Sequence, residues 1–183
     1  AKATVDVTLN TNDTTATMSS GTVFNTTVND VSYQFSTITD VTKSNTGNTI
    51  PFVGIDIYEG TFITTRYTVD SSDIDQRFVL TDNRADTSTL IVKVQTSSTD
   101  SSSNTFTEAT DITQVADGSN VYFLQEVEAG LFEIYFGDGI IGTALSDDNI
   151  VILTYVVSNK AAANGATLFS NAAAIASVTD ISV

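Results

Sequence analysis

Phe132-Glu133-Ile134-Tyr135-Phe136-Gly137-Asp138-Gly139-Ile140-Ile141-Gly142 is the stretch around which this chain is organised. Its first five residues alternate: Phe132, Ile134 and Phe136 belong to one face, Glu133 and Tyr135 to the other, which is the two-residue period of a strand. Glycines and an aspartate then break the pattern. Only glycine enters φ > 0 without steric cost, so this composition specifies a backbone path that side chains would block. Upstream, Val121–Val127 is a second strand-like run, joined through Glu128-Ala129-Gly130, and the two runs form a hairpin. Downstream, Ile150–Val157 is apolar at nearly every position, which predicts a central strand covered on both faces.

The same strand signal extends through the chain. Val, Ile, Thr, Tyr and Phe dominate, whereas Leu, Glu and Lys are scarce. Ahead of the single proline, Pro51, strands are expected at Thr4–Leu9, Thr22–Val28 and Ser32–Thr37, with a further one over Ile38–Thr42. Asn29-Asp30 is a hairpin turn, because both residues tolerate the left-handed region. Polar Asn10–Ser20 and Lys43–Asn48 are expected as loops. After Pro51, Val53–Tyr58 and Phe62–Val69 flank Glu59-Gly60 and predict a second hairpin. A short strand follows at Arg77–Leu80, then a turn over Thr81–Asp86. Leu90–Gln95 alternates, and Ser/Thr-rich Thr96–Asn104 is a solvated hairpin tip or a mobile loop. The expected fold is all-β, with two small antiparallel, sandwich-like sub-domains. Residues 1–51 form the first, and residues 52–158 form the second, which carries the Gly-Asp-Gly connection. An irregular, alanine-rich tail, residues 159–183, holds one helical turn over 171–176 and a possible final strand.

Composition excludes much chemistry. The 183 residues include 22 acidic and 7 basic ones, a net charge of −15, so no basic patch can be assembled for nucleic acid or an anionic membrane. Cysteine and histidine are absent, which removes disulfides, thiolate nucleophiles, histidine triads and the usual zinc sites. No apolar stretch reaches the roughly 18 residues of a membrane span. Ala1-Lys2-Ala3-Thr4-Val5 has neither an initiator Met nor a signal-peptide pattern, and the expectation is a piece of a longer chain.

Carboxylates are the remaining catalytic groups. Asp73 with Asp75, Asp138, and Asp147 with Asp148 are the candidates for the facing acid pair that a glycosidase needs. Asp70-Ser71-Ser72-Asp73-Ile74-Asp75 suggests a calcium loop, but an EF-hand requires glycine at its sixth position and glutamate at its twelfth, where this chain has Asp75 and Thr81. Solvated loop acids are the better reading. Gly137-Asp138-Gly139 with Gly142 has the spacing of a phosphate loop, yet no Gly-Lys-Ser/Thr follows and no lysine lies nearby. The alternative is a constrained β connection in which Asp138 accepts hydrogen bonds from backbone amides. Tyr122, Phe123, Phe132, Tyr135, Phe136 and Tyr155 either line a ligand groove or, as aromatics at strand spacing more often do, fill a core.

Several segments, in order, resemble a known family. They are Phe132–Gly142 with its Gly-Asp-Gly-x-x-Gly, then Asp148–Tyr155 ending in Tyr155, then Ala163-Asn164-Gly165-Ala166 with its Asn164-Gly165. Ser20-Gly21-Thr22-Val23-Phe24, Val31-Ser32-Tyr33-Gln34-Phe35, Ile57-Tyr58-Glu59-Gly60, Gln76-Arg77-Phe78 and Asp82–Ser88 agree with it as well. Together, across roughly Thr4 to Phe169, they resemble the baseplate wedge subunits of T-even-type contractile-tailed phages, relatives of the baseplate J-like proteins. The resemblance implies the middle region of a virion structural protein, located in the tail baseplate and assembled in the host cytoplasm. It would link wedges into a six-fold inner ring that rearranges when the sheath contracts. Its partners would be other wedge proteins and further copies of itself, with no enzyme activity, cofactor, metal or small-molecule substrate. The structural motif residues are then Phe136, Gly137, Asp138, Gly139, Gly142, Tyr155, Asn164 and Gly165. The other reading of the composition is a secreted or surface-displayed bacterial β-sandwich adhesin, binding calcium or carbohydrate.

Overall fold

The computed structural model describes residues 1–171 and 173–183. Strands occupy 52% of the chain and helix 3%, so the protein is all-β. In chain order the strands are β1 (Lys2–Asn10), β2 (Thr15–Met18), β3 (Val23–Val28), β4 (Val31–Ser36), β5 (Val41–Ser44), β6 (Thr49–Glu59) and β7 (Thr61–Thr68). They continue with β8 (Phe78–Leu80), β9 (Ala85–Gln95), β10 (Ser103–Glu108), β11 (Val121–Glu126), β12 (Phe132–Phe136), β13 (Ile150–Val157) and β14 (Ile181–Ser182). Among the described residues no helix is long and apolar enough to cross a membrane.

The chain divides into two compact units, Ala1–Phe62 with Val156–Val183, and Ile63–Tyr155. This differs from the division expected at Pro51. Pro51 lies inside β6, opposite Thr8 of β1, and the chain leaves the first unit only after Gly60. The hairpin expected across Glu59-Gly60 does not form either. β6 pairs with β1 and β4, while β7 belongs to another sheet beside β13. The amide of Gly60 donates to the carbonyl of Gln34 at 2.8 Å, and its φ of 130° carries the backbone out of the plane a hairpin would need.

The first unit holds a five-stranded sheet in the order β14-β1-β6-β4-β3 and a small β2-β5 pair. Asn29 and Asp30, with φ of 51° and 63°, make the β3–β4 hairpin turn. Both central residues are left-handed, which matches the strand twist. Between β1 and β6 the register slips: Val5 faces Ile55 and Val7 faces Phe52, so Val53 and Gly54 together oppose Asp6. This bulge, with Gly54 at φ 68° and its amide donating to Asp6 Oδ1 at 2.8 Å, shifts the inward phase by one residue. Ile50 and Phe52 before it and Ile55 and Ile57 after it all reach the core; without the extra residue the second pair would face water. The stretches expected as polar loops, Asn10–Ser20 and Lys43–Asn48, contribute β2 and part of β5. These pair because Ala16 and Met18 alternate inward and are buried.

The tail is a working part of this unit. Ala163 and Ile175 are buried in its core, Phe169 meets Phe35 edge to face at 5.1 Å, and Ser170 bridges Asn25 on β3. β14 pairs with β1, Ile181 opposite Leu9. The helical turn expected over 171–176 includes Ala172, which lies outside the described residues; Ile175 forms an isolated antiparallel bridge with Val178.

The second unit is built on a seven-stranded sheet in the order β7-β13-β9-β10-β11-β12-β8. β9 and β10 form a hairpin whose tip is the Ser/Thr-rich stretch, and β11 and β12 form the expected hairpin with Tyr122 opposite Phe136. β10 and β11 run parallel, which requires the longer crossover through residues 109–120. β13 has two sheet neighbours and is covered on both faces at its C-terminal end, where Tyr155, Val156 and Val157 are all buried, but less fully before it. Val151, Leu153 and Tyr155 are buried while Ile150, Ile152 and Thr154 remain half-buried. The sheet curls until its edges meet through side chains: the Tyr67 hydroxyl on β7 donates to the Val79 carbonyl on β8 at 2.6 Å.

Gly60 and Gly54 both have positive φ but differ in space. A Cβ on Gly60 would lie 2.2 Å from the Val157 carbonyl oxygen, whereas none within 4 Å meets one on Gly54. Gly60→Ala is expected to cost about 2–3 kcal/mol or more and Gly54→Ala about 1 kcal/mol. Urea unfolding of the two variants checks the order; an equal loss would show that the Gly60 backbone relaxes freely.

Candidate functional site

The Gly-Asp-Gly turn leaves β12 at Phe136. Asp138 is exposed, and its Oδ1 accepts from the amides of Ile140 and Ile141, both at 2.9 Å. These amides, that of Ile141 foremost, hold its carboxyl below the usual aspartate range. The Gly139 amide donates to the Gly142 carbonyl at 3.2 Å and closes the turn. Gly137 is glycine for lack of room: a Cβ there would sit 2.2 Å from the Ile141 carbonyl oxygen. The far side of the turn is fastened by Thr143, whose amide donates to the Ser119 carbonyl at 2.8 Å and whose hydroxyl donates to Asn120 Oδ1 at 3.0 Å. With its polar groups satisfied internally, the turn displays Ile140, 78% exposed, and Ile141.

Gly137 also forms part of the wall of a groove of about 270 Å3. Its apolar lining includes Phe78, Phe136 and Leu145, and its polar lining includes Asp70, Asp73, Gln76, Glu133 and Tyr135. Phe78 and Phe136 pack edge to face at 5.5 Å, in a series that runs from Tyr67 to Phe78, Phe136 and Phe106. Glu133 is only 4% exposed, although strand alternation puts it on the outer face. Arg77 covers it, its Nε donating to Oε1 at 2.9 Å and its Nη2 to Oε2. The guanidinium holds the Glu133 carboxyl below the usual glutamate range.

Among the candidate acids, Asp73, Asp138 and Asp147 accept hydrogen bonds from backbone amides. Asp70 Oδ1 accepts from the Ser72 amide at 2.9 Å and hydroxyl at 2.6 Å, and Asp73 Oδ1 from the Asp75 amide at 3.0 Å. Asp147 Oδ1 accepts from the Ser71 amide at 2.8 Å, which ties the loop before β13 to the loop after β7. Asp148 stands in the turn before β13 with φ 64°. The Ser72 hydroxyl and amide hold the Asp70 carboxyl below the usual aspartate range. Among the described residues no group of three or more acids could hold a metal ion.

The aromatics divide. Tyr122 and Tyr155 are buried, Phe123, Phe132 and Phe136 are half-buried, and Tyr135 is 42% exposed. The Tyr155 hydroxyl accepts from the Thr81 amide at 3.2 Å, so its role is to tie β13 to the turn after β8. Asn164 and Gly165 fall in the other unit, in a turn where the Asn164 amide donates to the Ala161 carbonyl. The motif residues are thus divided between the two units. Sequence reasoning missed the roles of Arg77, Glu133 and Gln76; Gln76 joins its loop to β7 by donating to the Thr68 carbonyl at 2.7 Å and accepting from the Asp70 amide at 3.0 Å. Arg77 and Glu133 are separated by 56 residues, with no local pattern to announce the pair. A scan against protein-family models finds no match, and no curated protein matches the chain.

Removing Asp138's acceptor with Asp138→Ala is expected to speed hydrogen exchange at Ile140 and Ile141, and Asp138→Asn, which keeps an acceptor, to speed it less. The carboxylate's contribution is full above the ordinary aspartate pKa and is lost as pH falls through the lower folded value. The exchange difference between wild type and Asp138→Ala should vanish over that acid range.

Arg77→Met is expected to lower the unfolding midpoint by several degrees, because it leaves the Glu133 carboxylate buried without its partner. The folded pKa of Glu133 is depressed, so the pair's stabilisation is present above the unfolded value and lost as pH falls through the folded one. Thermal melts across an acid series should show the gap between wild type and variant narrowing. A gap independent of pH would remove the ion pair as its cause.

Proposed function

We propose that this chain is a connective structural protein of the contractile-tail baseplate type, which joins neighbouring subunits through loop surfaces carried on rigid sheets. The observation that carries the reading is the Gly-Asp-Gly turn, which uses its one carboxylate on its own amides and presents Ile140 and Ile141 outward. A turn of that kind offers a shaped apolar contact and no reactive group. The ordered resemblance of Phe132–Gly142, Asp148–Tyr155 and Asn164-Gly165 to baseplate wedge subunits supports the same assignment. In this reading the chain works beside other wedge proteins and further copies of itself in a six-fold ring, within the virion, without catalysis or a cofactor.

Mass spectrometry of contractile-tailed particles from cells carrying this gene tests the proposal. The tryptic peptide Phe78–Arg84 is expected in the baseplate fraction after the sheath is stripped. Its absence from the particles, or its recovery in the secreted fraction with a calcium-dependent rise in melting temperature, would overturn the baseplate reading in favour of the adhesin.

A further inference from the structure

The groove beside Gly137 combines an aromatic lining with an acidic rim. Phe78 and Phe136, packed edge to face on one another, supply the rings, and the rim carries Asp70 and Asp73. Asp75 lies on the same loop, and Asp147 is bound to it through Ser71. The nearest cation, Arg77, is already engaged by Glu133. The rim thus keeps a surplus of negative charge that the fold does not neutralise. Two further surfaces are exposed there: Ile74, at 94% and on the same loop as Asp73, and the ring of Tyr135, at 42%, in the groove wall.

We propose that this groove receives an arginine side chain from an apolar-flanked segment of a partner protein. A guanidinium is planar and weakly hydrated, so it stacks on aromatic rings while its edge donates to carboxylates; a lysine ammonium does the second and does the first poorly. Phe78 and Phe136 supply the rings, Asp70 and Asp73 the carboxylates, and Ile74 and Tyr135 the contacts for the flanking apolar residues. A nucleic acid is refused by the charge of −15. A second copy of this chain is a poor donor, because Arg77 and Arg84 are paired with Glu133 and Asp82 and Arg66 donates to Gln95. The inference rests on the connective reading only in taking the occupant to be a protein. The preference for arginine stands or falls separately, since particle composition does not report on it.

The test uses the whole 15N-labelled chain titrated with acetyl-Leu-Arg-Leu-amide and with the same peptide carrying citrulline, which keeps the shape and loses the charge. Shifts are expected at the amides of Asp73, Gln76, Tyr135 and Gly137, with the arginine peptide bound about fivefold more tightly, the factor a half-exposed ion pair supplies. Asp73→Asn, with amide dispersion retained, should reduce that preference, and Ile74→Ser should weaken both peptides alike. Equal binding of the two peptides, shifts confined to other surfaces, or no shifts at millimolar peptide would overturn the proposal. A concentration-dependent dimer abolished by Ile74→Ser would also overturn it, assigning the groove to a second copy.

Discussion

The second unit depends on the closure of its seven-stranded sheet by Tyr67. A long sheet leaves two edges whose unpaired amides and carbonyls attract foreign strands. Here the two edge strands are brought side by side, and one phenol spans them: its ring packs edge to face on Phe78 at 5.7 Å and its hydroxyl donates to Val79 at 2.6 Å. Burial raises the Tyr67 pKa above the ordinary tyrosine value, which keeps the group a neutral donor. From Phe78 the ring contacts pass to Phe136 and Phe106. Such contacts contribute about 0.5–1.5 kcal/mol each beyond the area they bury. Its two middle rings, Phe78 and Phe136, line the groove beside Gly137, so the contacts that close the sheet also shape the groove.

Each unit also contains one buried carboxylate that joins distant parts of the chain. In the first, Glu59 accepts from the amide and the side-chain nitrogen of Asn159, at 2.9 and 2.8 Å, across 100 residues. In the second, Glu133 accepts from Arg77. A buried carboxylate without such donors would be expensive, so these contacts select the arrangement that provides them. The remaining acids behave differently. Asp70, Asp73, Asp82, Asp86, Asp100, Asp111 and Asp138 each accept an amide two residues ahead. Part of the acidity is thereby used in shaping tight loops, and the acidic surface discourages casual association while leaving specific contacts possible.

The sequence by itself determined the all-β class, the β3–β4 and β11–β12 hairpins, and the self-contained Gly-Asp-Gly turn, but not β10, the partner of β9. The cause of each is local: alternation decides which residues face in, Asn29-Asp30 tolerates positive φ, and an aspartate reaches amides two and three residues away. Tertiary structure alone decided where the units divide, that β6 and β7 part company at Gly60, that the alanine-rich tail completes the first core, and that Glu133 is buried under Arg77. Those outcomes rest on pairings between residues far apart in the chain, such as Ile181 with Leu9 or Glu133 with Arg77, and no pattern within a single segment encodes its partner. The groove beside Gly137 has the same origin. Its aspartates and Phe78 come from one stretch, Phe136 and Gly137 from another and Leu145 from a third, and only the curl of the sheet brings them together.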